Sequence, residues 1–277
     1  MNVTFNTGMV VLLLMAGVLI CIECGRRIGL RRRKAGSDPS KSGTGATEAA
    51  VFGLLGLLVA FTFSGAASRF DARRLQIVEE ANAIGTAYLR VDLLPEDVQP
   101  EIRELFRAYT DARIATYHAI PDLEKVNEEN ARAMRLQSEL WKACVGACKL
   151  APSPAVTSMV IPAVNELIDV SSRRTAAAQA HVPWIVMAAL LGLAMGCSLL
   201  AGFDMAADKF RSWTHQLVFA LTIGFVVFVI FDLEYPRLGL IRIEAFDRYM
   251  EDARRGMDGE VRPSEFIRKG GGLPGGK

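Results

Sequence analysis

The chain has 277 residues, 51% hydrophobic and 22% charged, with 32 basic against 30 acidic side chains and a formal net charge of +2. That balance argues against a chain built to neutralise nucleic-acid phosphates, and the apolar fraction is too high for a disordered one. Five cysteines are too few for a disulfide scaffold, and an odd number cannot all pair within one chain.

Charged residues are absent from Met1 to Ile22, Ala49 to Ser68, Thr175 to Phe203 and Ser212 to Phe231. Each window is long enough to cross a ~30 Å hydrocarbon core, which takes about 20 residues of helix. The cost of inserting charge into lipid is what empties such windows. The expected fold is therefore an all-α integral membrane protein with four spans, at about 5–24, 49–68, 182–203 and 212–232. The first window has no basic n-region and no small-residue cleavage pattern, which makes it an uncleaved anchor rather than a signal peptide.

Between the first two spans, loop 25–46 holds seven basic residues (Arg26, Arg27, Arg31, Arg32, Arg33, Lys34 and Lys41) against Asp38 alone. A short loop of this kind is retained in the cytoplasm, which sends both termini and the segment between spans two and three outside. The location expected is a bacterial inner membrane. The same basic run could bind anionic lipid headgroups.

The first hairpin, 1–68, is followed by segment 69–180, whose charges suit an extra-membrane stalk. Its periodicity is helical: Ile102, Leu105, Phe106 and Tyr109 follow i, i+3, i+4, i+7. Ser153-Pro154 is an N-cap followed by proline at the first helical position. Nothing breaks the second span between Arg69 and Gly85, so its helix should continue to about Leu94. The helix from Pro154 should run into the third span with kinks at Pro162 and Pro183. A second hairpin, 181–235, leads to a tail, 236–277, with a helix near Glu244 to Arg255 and a flexible glycine-rich end from about 269.

Small residues form ridges at Gly56, Ala60, Ser64 and Ser68 in the second span, and at Ala188, Gly192 and Gly196 in the third. Such ridges let membrane helices approach closely, within one subunit or between subunits.

The stretch from Leu54 to Arg90 and the end of the fourth span, Phe231-Asp232-Leu233-Glu234-Tyr235-Pro236 with Gly239 to Arg242, resemble the bestrophin-like domain family of bacterial four-span membrane proteins. That family resembles in turn the bestrophin anion channels, through Ser64, Ala67, Arg69, Phe70, Ala72 and Arg73. The resemblance implies a homo-oligomer whose second span lines an apolar pore neck. Bestrophins hold their extra-membrane helices in the cytoplasm, whereas the basic first loop here argues for the opposite orientation. Their acidic calcium-binding cluster has no counterpart in this sequence.

On this reading Val59 and Phe63 are the pore-constriction residues, able to gate by dewetting, unless their stripe is simply packed or lipid-facing. Arg69, Arg73, Glu80, Asn82 and Thr86 are the selectivity or vestibule residues, or else surface ion pairs and headgroup contacts. Asp232 and Glu234 are interface carboxylates that could pair with Arg237 or Arg242 and fix the end of the helix.

The leading expectation is a homo-oligomeric ion channel or pore, acting on ions, in contact with the lipid bilayer and with no nucleic-acid partner. The alternative is a non-conducting scaffold or sensor whose stalk binds a partner. A remoter one is a four-span thiol oxidoreductase, suggested by Cys21, Cys24, Cys144 and Cys148. No catalytic residue, metal site or cofactor is expected: His118, His181 and His215 are dispersed, and no phosphate-loop or nucleophile-elbow pattern is present.

Overall fold

A computed structural model describes residues 7–34, 45–150, 153–207 and 213–259. The middle of the basic first loop, most of the loop after the third span and the glycine-rich end lie outside the described residues. Eight α-helices account for nearly all of the described chain, with no strand among the described residues: α1 (Thr7–Lys34), α2 (Gly45–Leu89), α3 (Gln99–His118), α4 (Leu123–Leu150), α5 (Pro154–Gln179), α6 (Trp184–Asp204), α7 (Trp213–Glu234) and α8 (Glu244–Gly256). Four helical segments are long and apolar enough to cross a membrane. The protein is an all-α, multi-pass membrane protein.

Local chemistry explains the helix ends. Arg31, Arg32, Arg33 and Lys34 occupy the last turn of α1, where cations complement the negative end of the helix dipole. After 45 residues α2 tightens into a 3-10 turn, Arg90–Leu93, ahead of Pro95. The backbone N–H of Ala155 donates to Ser153 Oγ at 3.3 Å, which caps α5. Pro162 is accommodated within α5. The expected kink at Pro183 is instead a full interruption: α5 ends at Gln179 and α6 begins at Trp184.

The chain divides into two compact units. The membrane unit, residues 1–71 and 180–242, holds α1, the first part of α2, α6 and α7. Its core joins Leu14, Val18 and Ile22 of α1 to Leu55 and Ala66 of α2, Leu190 and Ala194 of α6, and Val227 and Ile230 of α7. Helices α1 and α6 approach each other closely. A Cβ on Gly25 would stand 1.9 Å from the Leu199 carbonyl oxygen, and one on Gly202 would stand 1.9 Å from that of Ile22. Gly29 repeats the fit one turn on, against Phe203 and Ala206. Between lipid-exposed helices apolar burial provides little drive, so close backbone packing has to supply it.

The second unit, residues 72–179 and 243–277, holds the rest of α2 with α3, α4, α5 and α8. Ile77 and Ile84 of α2, Ile102, Phe106 and Tyr109 of α3, Leu140 and Cys144 of α4, Val164 and Leu167 of α5, and Met250 of α8 form its core. Tyr88 meets Phe106 edge-to-face at 5.8 Å, and the Tyr88 hydroxyl donates to the Met257 carbonyl at 2.9 Å.

Candidate functional site: the open face of α2

Helix α2 buries one face and leaves the other uncovered. In the membrane unit Leu55, Thr62 and Ala66 are buried, whereas Leu57, Phe61, Ser64 and Ser68 are exposed. Leu57 and Phe61 retain 53% and 68% exposure, unusual for large apolar side chains unless lipid or another chain covers them. In the second unit Leu75, Glu79, Asn82, Thr86 and Leu89 of α2 are exposed. Steps of three and four residues connect all of these with Asp71, the spacing of one helical face.

The structure distributes the residues expected at a pore unevenly. Asn82 and Thr86 lie on the open face. Val59 does not: it packs against the core of the membrane unit and lines an apolar crevice of about 240 Å³ with Phe52, Leu190 and Phe219. Phe63 is 44% exposed but sits about 120° around the helix from Leu57, off the Leu57–Phe61 stripe. Gly56, Gly192 and Gly196 have open space where a Cβ would stand, and Ala60 and Ser64 are exposed. Among the described residues the close approaches fall at Gly25, Gly29 and Gly202 instead. The Gly-x-x-x-Gly spacing of Gly25 and Gly29 was the available signal.

The basic residues along α2 and the turn after it have partners of their own. Arg69 donates through Nε and Nη2 to Glu234 Oε1 at 2.8 and 2.5 Å. His181 Nδ1 stands 3.5 Å from the other Glu234 oxygen, its ring stacked on Tyr235 at 5.0 Å. Arg73 is buried and donates to the Ala177 carbonyl at 3.1 Å. The Arg74 guanidinium lies 4.6 Å above the Phe246 ring, and Arg90 donates to the Met159 carbonyl. The charged positions of the open face are Asp71 and Glu79.

Glu80, expected at a vestibule, is fully buried in the second unit. Its two oxygens accept from Arg113 Nε and Arg174 Nη1, each at 2.6 Å. Arg174 stacks 3.7 Å over Tyr117 and reaches within 3.5 Å of Asp247 on α8. Burial by itself would raise the Glu80 pKa, but the two guanidiniums outweigh it and hold the carboxyl below its ordinary range. Arg113 follows Ile102, Phe106 and Tyr109 on the buried stripe of α3, a placement that demands a partner the spacing alone does not name.

Asp232 and Glu234 are both buried at the end of α7. Asp232 accepts from the backbone N–H groups of Leu240 (2.8 Å) and Ile241 (2.6 Å), closing the turn after the helix. A Cβ on Gly239 would meet Asp232 Oδ1 at 1.8 Å, so this turn requires glycine.

The cysteines are all free. Burial, with a smaller contribution from Cys148 beside it, pushes the Cys144 thiol up to about 12. A thiol so raised stays protonated at neutral pH, the reverse of an activated redox cysteine. No group of three or more potential metal-ligating side chains occurs among the described residues.

This architecture matches the bestrophin-like domain over residues 12–245. The chain belongs to the bestrophin-like family. Solved structures with the same fold include a bacterial bestrophin homologue from Klebsiella pneumoniae, at 17% identity and TM-score 0.66 over 91% of this chain and 98% of that one. A single-substitution variant of a Klebsiella pneumoniae homologue gives 16% identity and TM-score 0.67 over 89% and 99%. A further crystallised membrane protein gives 17% identity and TM-score 0.67 over 92% and 100%. No curated protein matches the chain. In this bestrophin-like chain the Ser64-to-Arg73 motif separates by face: Ser64 and Ser68 point outward, while Arg69 and Arg73 are tied into their own units.

Proposed function

We propose that the chain assembles as a homo-oligomeric ion pore of the bacterial inner membrane, with the open face of α2 around its axis. The observation that carries this reading is the composition of that face. Apolar Leu57 and Phe61, hydroxyl-bearing Ser64 and Ser68, and the acidic or amide side chains of Asp71, Glu79 and Asn82 succeed one another along a single stripe. Leu57 and Phe61 take the constriction role that the sequence suggested for Val59 and Phe63, and repeated around a ring they would form a neck that gates by dewetting. With Arg69, Arg73 and Arg74 of α2 holding partners of their own, Glu79 is the charge this reading sets on the pore axis, and the pore prefers cations. The uncovered ridges at Gly56, Ala60 and Ser64 and at Gly192 and Gly196 are then surfaces for neighbouring subunits. In keeping with the basic first loop, both termini and the second unit lie outside.

Purified protein in planar bilayers under a KCl gradient tests the reading. A reversal potential near the potassium equilibrium value is expected, with Glu79→Gln moving it towards zero and Leu57→Ala/Phe61→Ala raising open probability. A stable monomer in mild detergent, or a non-conducting bilayer, would sink the pore and favour a scaffold whose second unit binds a partner.

A further inference from the structure

The end of α1 carries six basic residues, and the structure divides them by task. Arg26 and Arg27 reach Glu23 at 3.5 and 2.8 Å. Arg32 lies over the Phe203 ring at 5.9 Å, and Arg33 Nη1 donates to the Ala206 carbonyl at 2.8 Å. Arg31 and Lys34 are exposed and have no partner among the described residues. With Arg27, whose side chain keeps 71% exposure, they fall at i, i+4 and i+7 on one helical face.

That face continues, at the same spacing, into exposed apolar residues. Met9, Leu13 and Ile20 keep 58%, 66% and 62% exposure on the same side of α1. The opposite side is committed to α6 through Gly25 and Gly29, so the basic ridge is rigidly backed. One stripe therefore runs from hydrocarbon-compatible to cationic. Its basic part, Arg27 to Lys34, rises ~10 Å along the helix, comparable with the roughly 5–8 Å depth of a headgroup zone.

The geometry points to an anionic phospholipid site on this outer face of α1. Acyl chains lie along Met9, Leu13 and Ile20, and the phosphodiester sits against Arg31 and Lys34, with Arg27 shared between it and Glu23. The occupant is a lipid rather than a soluble anion because the cationic end is continuous with a surface that only hydrocarbon would cover. The site is independent of conduction, and a non-conducting protein would keep it.

Native mass spectrometry of the full chain in detergent, titrated with equal phosphatidylglycerol and phosphatidylcholine of identical acyl chains, tests the site. A phosphatidylglycerol preference on the order of tenfold is expected, since each basic residue near a lipid surface favours anionic headgroups. The Arg31→Gln/Lys34→Gln variant should lower it to about twofold, while Lys142→Gln/Lys149→Gln, removing equal charge from exposed positions of α4, should leave it unchanged. Equal elution profiles and Tm for the two variants keep the comparison one of binding. Equal retention of both lipids, or a preference that survives Arg31→Gln/Lys34→Gln, would overturn the assignment. So would displacement of phosphatidylglycerol by inorganic phosphate or a short DNA oligonucleotide, which would mark an unselective basic surface.

Discussion

The two units of this protein solve the same packing problem with different materials. In the membrane unit α1 and α6 come together where Gly25, Gly29 and Gly202 remove side chains, and carbonyl oxygens occupy the space. In the second unit, Tyr109, Phe106 and Leu167 fill the core and enclose a charged cluster of Glu80, Arg113 and Arg174. Where water surrounds such a unit, apolar burial is strongly favourable and offsets the cost of dehydrating those ions. Lipid offers no such drive, so the membrane unit depends on the fit of backbone to backbone. Large side chains are therefore tolerated in one unit at places where a single methyl group is not tolerated in the other.

The sharpest way to break the comparison is to add atoms to the membrane unit. Gly202→Val places carbon where the Ile22 carbonyl oxygen stands, and neither partner is a flexible side-chain end. Loss of monodisperse protein on size-exclusion chromatography is expected, and a normal elution profile would refute the close-packing account.

Removing charge from the second unit should be the next largest effect. Glu80→Gln leaves the buried Arg113 guanidinium without its anion and Arg174 with Asp247 alone, at a cost of about 3–5 kcal/mol. That corresponds to a Tm lower by roughly 10 °C in a thermal melt. The same carboxylate sets an acid limit. Its folded-state pKa is depressed, so its contribution is complete above the unfolded value of about 4.3 and is lost as pH falls below that. A wild-type Tm that falls below this pH, with a flatter profile in Glu80→Gln, is the expected signature.

Asp232→Asn keeps the shape of the turn after α7 but replaces a charged acceptor of two backbone N–H groups by a neutral one. A loss of about 1–2 kcal/mol, read as a Tm lower by a few degrees, is expected. The smallest effect belongs to Gly192→Ala, where a Cβ meets open space. Folding of the chain should be unchanged, and a large drop in Tm of the dissociated chain would show that α6 packs on this side as well.

The fold was legible because its cause is compositional. Four stretches free of charge predict four membrane helices whatever their neighbours do, and the spacing of Ile102, Phe106 and Tyr109 marks a buried helical face. The site was legible only by element. That α2 matters could be read from its motif, but which of its faces stays open depends on where α6 and α7 pack, which no local pattern records. Hence Val59, a constriction candidate by motif, takes the packed alternative, while nothing in the local pattern singles out the exposed Leu57 and Phe61. Glu80 illustrates the same limit at longer range. Its partners lie 33 and 94 residues away, and a glutamate two residues before Asn82 carries no mark of being enclosed.

The open face of α2 also has an arithmetic consequence. In the symmetric assembly proposed, one codon would write a residue as many times as there are subunits, so Glu79 would be a ring of carboxylates rather than a single charge. Co-expression of wild type with Glu79→Gln would produce mixed assemblies, and their single-channel currents should fall into discrete classes. The number of classes would count the subunits from an electrical record alone.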